Sequence, residues 1–299
     1  MQNMGQEKRF QIFGNIVMWI FTLLALIPLI LLLISSFTDD ATLVRNGYSF
    51  FPEKWSLAAY QYIFTSGNSL TNAYMMSFIL TAVGTVCGLA ITTLLAYALS
   101  KKFLPYRGLL TFYVVFTMLF NGGLVPTYMN YTNVFHLKDT FFGLLIPGLL
   151  MNAFNVMMMK SYFVAGVPDE ILEAAYIDGA TEFQTFLRIA FPLAKPIVAT
   201  IGLFIGIGYW NDWMNGYIYL SKATNLYTIQ NLLNRMIQNI QFLQQNSSSV
   251  GSASQGLASI PQTSVRMAMA VVGVLPIVVI YPFIQNNFVK GITLGGVKG

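Results

Sequence analysis

Charge is what this sequence has least of. Charged residues fill 9% of its 299 positions and hydrophobic residues 56%, for a mean hydropathy of +0.62. A soluble domain carries about 25% charged residues, so this chain could not cover a water-facing surface. The same numbers exclude intrinsic disorder and a coiled coil. One cysteine, Cys87, leaves no internal bridge and excludes a disulfide scaffold. One histidine, His136, excludes a His-rich metal site. No Gly-Lys dipeptide occurs, so the phosphate loop G-x-x-x-x-G-K-[ST] is missing. Net charge is +5, but the basic residues lie scattered at the edges of apolar stretches, which does not describe a nucleic-acid surface. What remains is an all-α polytopic membrane protein.

A spanning helix needs about 20 apolar residues. Uncharged stretches with apolar hearts predict six transmembrane helices, at about 12–36, 74–100, 108–126, 140–160, 196–218 and 266–288. With six spans both termini share a side. Placing them inside puts Lys8, Arg9, Lys101, Lys102, Arg107, Lys160, Arg188, Lys195, Lys290 and Lys298 in the cytoplasm, ten of the sixteen basic residues. That bias obeys the positive-inside rule. The first span is too long for the apolar region of a signal peptide, and no clear small-residue cleavage site follows it.

Three loops are long. Residues 37–70 lie outside on this reading, with a short interfacial helix over Leu57–Phe64. Residues 221–264 also lie outside, and their Gln/Ser/Asn/Gly-rich tail, Gln244–Ser264, reads as flexible. The cytoplasmic loop, 161–195, holds Asp169, Glu170, Glu173, Asp178 and Glu182, five of the eleven acidic residues. Pro168 suits a first helical position, and the acids after it suit the positive end of the helix dipole. Gly179 is a natural stop. Thr181 and Gln184 have capping-box spacing for a second helix that ends before Pro192. The product is a helix–Gly–helix on the inner face. Surface helices that lie on lipid are rich in Lys and Arg. This one is acidic in its first half and better suited to a protein partner, and Ala174 and Ala175 would let another backbone come close.

Glu173-Ala174-Ala175, Asp178-Gly179-Ala180, Ile189 and Pro192 resemble the EAA loop of ABC importer permeases. The spacing from Glu173 to Gly179 to Ile189 fits that pattern without gaps. The resemblance implies a type I ABC importer permease fold and a coupling helix that docks on an ATPase subunit. Ala96-Tyr97-Ala98-Leu99-Ser100, Phe120–Thr127, Tyr281-Pro282-Phe283 and the ending Gly295–Gly299 are similar to sugar permeases of the maltose-type, complex-glycan branch. The implied partners are a second homologous permease, two ATPase subunits that carry the ATP and Mg, an extracytoplasmic solute-binding protein and an oligosaccharide. The implied location is the bacterial cytoplasmic membrane. No catalytic residue, metal or cofactor is assigned to this chain.

Sugars bind aromatic platforms and amide or carboxylate hydrogen bonds. Tyr209, Trp210, Asn211, Asp212, Trp213 and Asn215 near the end of the fifth span, with Asn121, are the candidate lining of the translocation path. An interfacial aromatic belt with a solvated Asp reads the same residues differently. At about 1.5 Å per residue, Asp212 lies roughly 24 Å from Pro196, in the outer half. Asn121-Gly122-Gly123 should break or end the third span. Cys87, among small residues, reads as packing, and His136 as solvated. Two rivals stand beside this reading. The EAA loop does not discriminate cargo, so a permease for a non-sugar solute fits it too. An ion-coupled secondary transporter would need a buried titratable site, for which Asp212 alone is available.

Overall fold

The computed structural model describes residues 3–65, 68–245 and 262–296. The regular structure among them is helical, and the one strand-like pairing is an isolated antiparallel bridge between Thr38 and Trp55. Two helices are each long and apolar enough to cross a bilayer: Phe10–Ser36 within α1 (Asn3–Ser36) and Ser69–Ser100 within α4 (Asn68–Ser100). Pro28 does not interrupt α1.

The chain forms two compact units. The first comprises residues 1–70 and 235–275. Here α1 gives way to α2 (Asp40–Asn46) and α3 (Ala58–Thr65), the latter one residue from the predicted interfacial helix. Phe37 stacks on Tyr60 at 4.8 Å, and the Ser36 and Tyr60 hydroxyls lie 2.8 Å apart. The Asp40 carboxylate accepts the backbone N–H groups of Thr263 (2.7 Å) and Ser264 (2.9 Å). Those N–H groups belong to the first turn of the last helix, where helical partners are lacking.

The second unit comprises residues 71–234 and 276–299. Its core gathers Leu80 and Leu99 from α4 with Val156, Met159, Ile201 and Tyr209. α5 (Arg107–Leu119) ends at an extended Phe120, and α6 (Leu124–Met129) restarts after Gly123, whose φ of 87° few other residues adopt. The two directions differ by 115°, so the predicted break at Asn121-Gly122-Gly123 is present.

The predicted segment 140–160 is not one helix. α7 (Phe141–Leu145) and α8 (Ala153–Gly166) are separated by residues 146–152. Pro147 brings no N–H and Gly148 takes a φ of 72°, a combination that a hydropathy window does not register. α12 (Lys195–Asn211) and α13 (Met214–Tyr219) are parted at Asp212 and Trp213. α14 (Ile229–Gln245) fills much of the predicted outer loop. α15 (Gln262–Gly296) runs through Pro276 and Pro282, which do not terminate it. Most of the Gln244–Ser264 tail and the last three residues lie outside the described residues.

Glycines set how closely α4 approaches α12. A Cβ on Gly84 would overlap the Tyr209 ring, and one on Gly88 would sit 3.1 Å from the Leu150 carbonyl. From the other side, Gly206 faces Thr85 and Gly202 faces Leu89. Four-residue spacing of glycines on both helices is the small-residue packing of membrane bundles.

Asp139 ties two loops together. Its carboxylate accepts the backbone N–H groups of Ser221 (2.7 Å), Lys222 (2.8 Å) and Ala223 (3.1 Å) and the Ser221 hydroxyl (2.7 Å). These donors, the Lys222 N–H foremost, hold the Asp139 carboxyl well below the usual carboxylate range. A lowered folded-state pKa stabilises above the unfolded value and loses that contribution as pH falls toward the folded one. The stability gap between wild type and Asp139→Asn should therefore be flat from pH 8 to about 5 and narrow below about 4. Thermal unfolding in detergent across that range measures it; a gap that widens on acidification would contradict the assignment.

Candidate coupling site and transport path

The cytoplasmic loop is built from local signals. Val167 buries, Pro168 stands just before the helix, and α9 (Asp169–Ile177) opens with Asp169 and Glu170. Pro168 is thus one residue earlier than predicted. At the other end the Gly179 N–H donates to the Tyr176 carbonyl (3.0 Å) and the Ala180 N–H to the Ala175 carbonyl (2.9 Å). With Gly179 at φ 80° this is a Schellman stop. α10 (Glu182–Thr185) starts with both halves of the predicted capping box: Gln184 N–H to Thr181 Oγ1 at 3.3 Å, and Thr181 N–H to Gln184 Oε1 at 3.0 Å. A wide π turn, Phe186–Ala190, leads into α11 (Phe191–Leu193). Pro192 therefore lies inside the last turn rather than beyond the helix. The wide turn before it accommodates a ring that a regular helix would reject. The chain then turns by 83° into α12.

The two alanines part company. Ala175 is buried with Leu172 on the inner face of α9, while Ala174 and Glu173 are exposed. Asp178 and Gly179 are exposed, Ala180 and Ile189 half-buried, and Pro192 exposed. Sequence reasoning missed the apolar side chains left open on this loop: Ile177 is 86% exposed, and Ile171, Phe183 and Leu187 are exposed too. Exposed apolar groups rimmed by acids are the kind of surface on which other proteins dock.

A buried cation lies beneath the loop. Lys101, just past α4, is 8% exposed. Its Nζ sits 4.3 Å from the centre of the Tyr97 ring, 3.3 Å from Tyr176 Oη and 3.7 Å from Glu182 Oε1. Tyr176 donates to Glu182 Oε2 at 2.6 Å. Burial first, and then the hydrogen bond to Glu182, push the Tyr176 phenol up to about 12, so it stays a donor at neutral pH. Burial lowers the Lys101 pKa, and Glu182 opposes that shift. Alongside, a cavity of about 380 Å³ is lined by Lys102, Arg107, Asp169 and Glu173 among others.

The path residues fall into two groups. Tyr209 is 1% exposed and donates to the Leu145 carbonyl at 2.7 Å. Trp210 is buried against Phe78 (5.1 Å) and Tyr74 (6.5 Å) of α4. Asn215 is buried, its Nδ2 donating to the Pro147 carbonyl at 2.9 Å. Asp212 is half-buried and its Oδ1 accepts the N–H groups of Met214 (3.1 Å) and Asn215 (3.3 Å), capping α13. Asn211, Trp213 and Asn121 are exposed. Trp213 lies against Tyr217, and Asn121 Oδ1 accepts the Gly123 N–H at 2.9 Å. Among the described residues, no group of acids, histidine or cysteine could hold a metal ion.

An apolar, helical chain with two helices long and apolar enough to cross a bilayer defines a membrane protein. The chain belongs to the family of binding-protein-dependent transport system inner membrane components, which matches residues 88–294. It is 35% identical over 288 residues to the polygalacturonan/rhamnogalacturonan transport system permease protein YtcP of Bacillus subtilis (strain 168), covering 96% of this chain and 97% of that one. It is 34% identical over 276 residues to Protein LplC of the same organism, covering 92% and 90%. Among solved structures, a bacterial ABC transporter that imports the acidic polysaccharide alginate superposes with a TM-score of 0.77 at 30% identity, covering 95% of this chain and 98% of that one. The protein is thus a permease subunit of a bacterial ABC importer, a transport component of the inner membrane rather than an enzyme. Its family implies a separate ATPase and a binding protein as partners.

Proposed function

We propose that this chain forms half of the translocation path for an oligosaccharide or complex glycan, paired with a second homologous permease and two ATPase subunits. The observation that carries the coupling part is the capped pair α9 and α10, which presents Glu173, Ala174 and Ile177 outward while Leu172 and Ala175 anchor it. The cargo rests on relatives named for polygalacturonan, rhamnogalacturonan and arabinooligosaccharide transport and on the alginate importer. On this reading the chain crosses the membrane six times and keeps both termini on the side of the coupling loop. Asn211, Trp213 and Asn121 line the path with exposed polar and aromatic surface. Tyr209, Trp210 and Asn215 shape it from behind, and Asp212 fixes the turn between α12 and α13. In the transport cycle, ATP closes the ATPase dimer, the loop transmits that motion, and the spans switch from inward-facing to outward-facing. The energy comes from stabilising one state over the other. The binding protein then releases its sugar into the cavity.

Uptake into proteoliposomes tests this reading. The complex should import labelled galacturonan, arabinan or alginate oligosaccharides only with binding protein outside and ATP inside. Import of an amino acid or phosphate in place of every saccharide would overturn the cargo, and saccharide import driven by an ion gradient without ATP would overturn the coupling.

A further inference from the structure

We propose that Lys101 is a positioning residue that latches both halves of the coupling loop to the end of α4, so that loop and helix move as one lever. The proposal rests on the coupling role given above. It starts from a mismatch of cost. Lysine is almost never fully buried unless paired, yet Lys101 is buried and Lys102 beside it is exposed. The cation is held by one group from each half of the loop: the Tyr176 hydroxyl from α9 and the Glu182 carboxylate from α10, themselves hydrogen-bonded to each other. Its third neighbour, the Tyr97 ring, belongs to α4 and packs on Phe163 of α8 (5.5 Å) and Phe186 of the π turn (4.9 Å). The cation's attraction to the ring face adds to the pairing.

If the loop slid a few ångströms while α4 stayed, Lys101 would be left buried without its carboxylate. That state is far costlier than losing a surface pair, so displacement of the loop carries the end of α4 with it. α4 has no proline and transmits that displacement as a rod. Roughly 40 Å along it, at about 1.5 Å per residue, Tyr74 and Phe78 bear on Trp210, beside the proposed path.

The test is uptake per ATP hydrolysed by the reconstituted complex, using the panel saccharide that the wild type imports. Lys101→Met should assemble and still hydrolyse ATP but import on the order of tenfold less per ATP, within the range of coupling between distant sites. Lys101→Arg should recover most of that ratio. Tyr176→Phe, a milder change that removes one hydroxyl, should shift it the same way. Glu182→Gln combined with Lys101→Met should be no worse than Lys101→Met alone. Lys102→Ala, which breaks only the exposed pair with Asp169 (2.7 Å), should be near neutral. An unchanged ratio in Lys101→Met and Tyr176→Phe would overturn the latch. So would uptake and hydrolysis falling together in step with less assembled complex. Glu173→Lys separates the two levels. If it uncouples while Lys101→Met does not, the latch alone is wrong; if it too is without effect, the coupling loop and the latch fail together.

Discussion

Glu173→Lys is expected to cut binding-protein-stimulated ATP hydrolysis roughly 100-fold, the scale of placing like charges in a complementary interface. Glu173 is exposed on α9, one residue from the exposed Ala174, and borders the cavity that Lys102 and Arg107 also line. Among the described residues no ion pair takes up its charge, and the stop that ends its helix at Gly179 does not involve it. The reversal should therefore leave the permease folded and act on the docked ATPase. Pull-down of the ATPase and hydrolysis per assembled complex measure it. Loss of the ATPase from the complex, or its retention without stimulation, both support the assignment; full stimulated hydrolysis in an assembled variant removes Glu173 from the interface. Gly179→Asp and Gly179→Asn make a graded companion pair. A Cβ at Gly179 meets nothing within 4 Å, so only the backbone angle resists. Asn, which tolerates the left-handed region better than most residues, should preserve more coupling than Asp brings back.

Gly84→Val should be the most damaging substitution within the bundle. Replacing glycine inside a helix gains about 0.5–1 kcal/mol where space allows. Here a Cβ would overlap the Tyr209 ring, and Tyr209 is buried with its hydroxyl committed to the Leu145 carbonyl, so it has no retreat. Overpacking of a tight core costs about 1–3 kcal/mol, and a branched side chain against a fixed ring belongs at the upper end. Gly108→Ala is the contrast, since nothing lies within 4 Å of that position. The thermal midpoint in detergent should fall for Gly84→Val and hold or rise for Gly108→Ala. Truncating the obstruction, in the pair Gly84→Val with Tyr209→Ala, should return part of the loss. Equal midpoints for wild type and Gly84→Val would mean that α4 and α12 are not packed this way.

What could be read from the chain was what neighbours in sequence decide. The stop at Gly179 and the box at Thr181 and Gln184 need only a few adjacent residues, and both stand as predicted. The break after Phe120 needed only Asn121-Gly122-Gly123. Apolar content found the long helices but not the interruption at Pro147 and Gly148, because those residues leave the average hydropathy high. α14 went unread because its amides suggested a loop. The spacing Ile229, Leu232, Leu233, Met236 and Ile237 would have found it, for apolar residues three and four apart describe a helix face. Lys101 and Asp139 were beyond such reasoning. Their partners lie 75 and 82 residues away, and one Lys or Asp beside a span resembles any topological charge until the fold brings its partners in.

The interruption between α7 and α8 has a genetic consequence. Carbonyls that a continuous helix would serve from its own backbone, those of Leu145 and Pro147, are served instead by the Tyr209 hydroxyl and the Asn215 amide. The information that holds the broken segment is thus encoded more than sixty codons downstream. A mutational scan should find that many changes of apolar type are tolerated at Ile146, Leu149 and Leu150, while Phe at 209 and Leu at 215 score as though residues 145–147 themselves had been altered. Selection on one stretch of the gene would be visible in another.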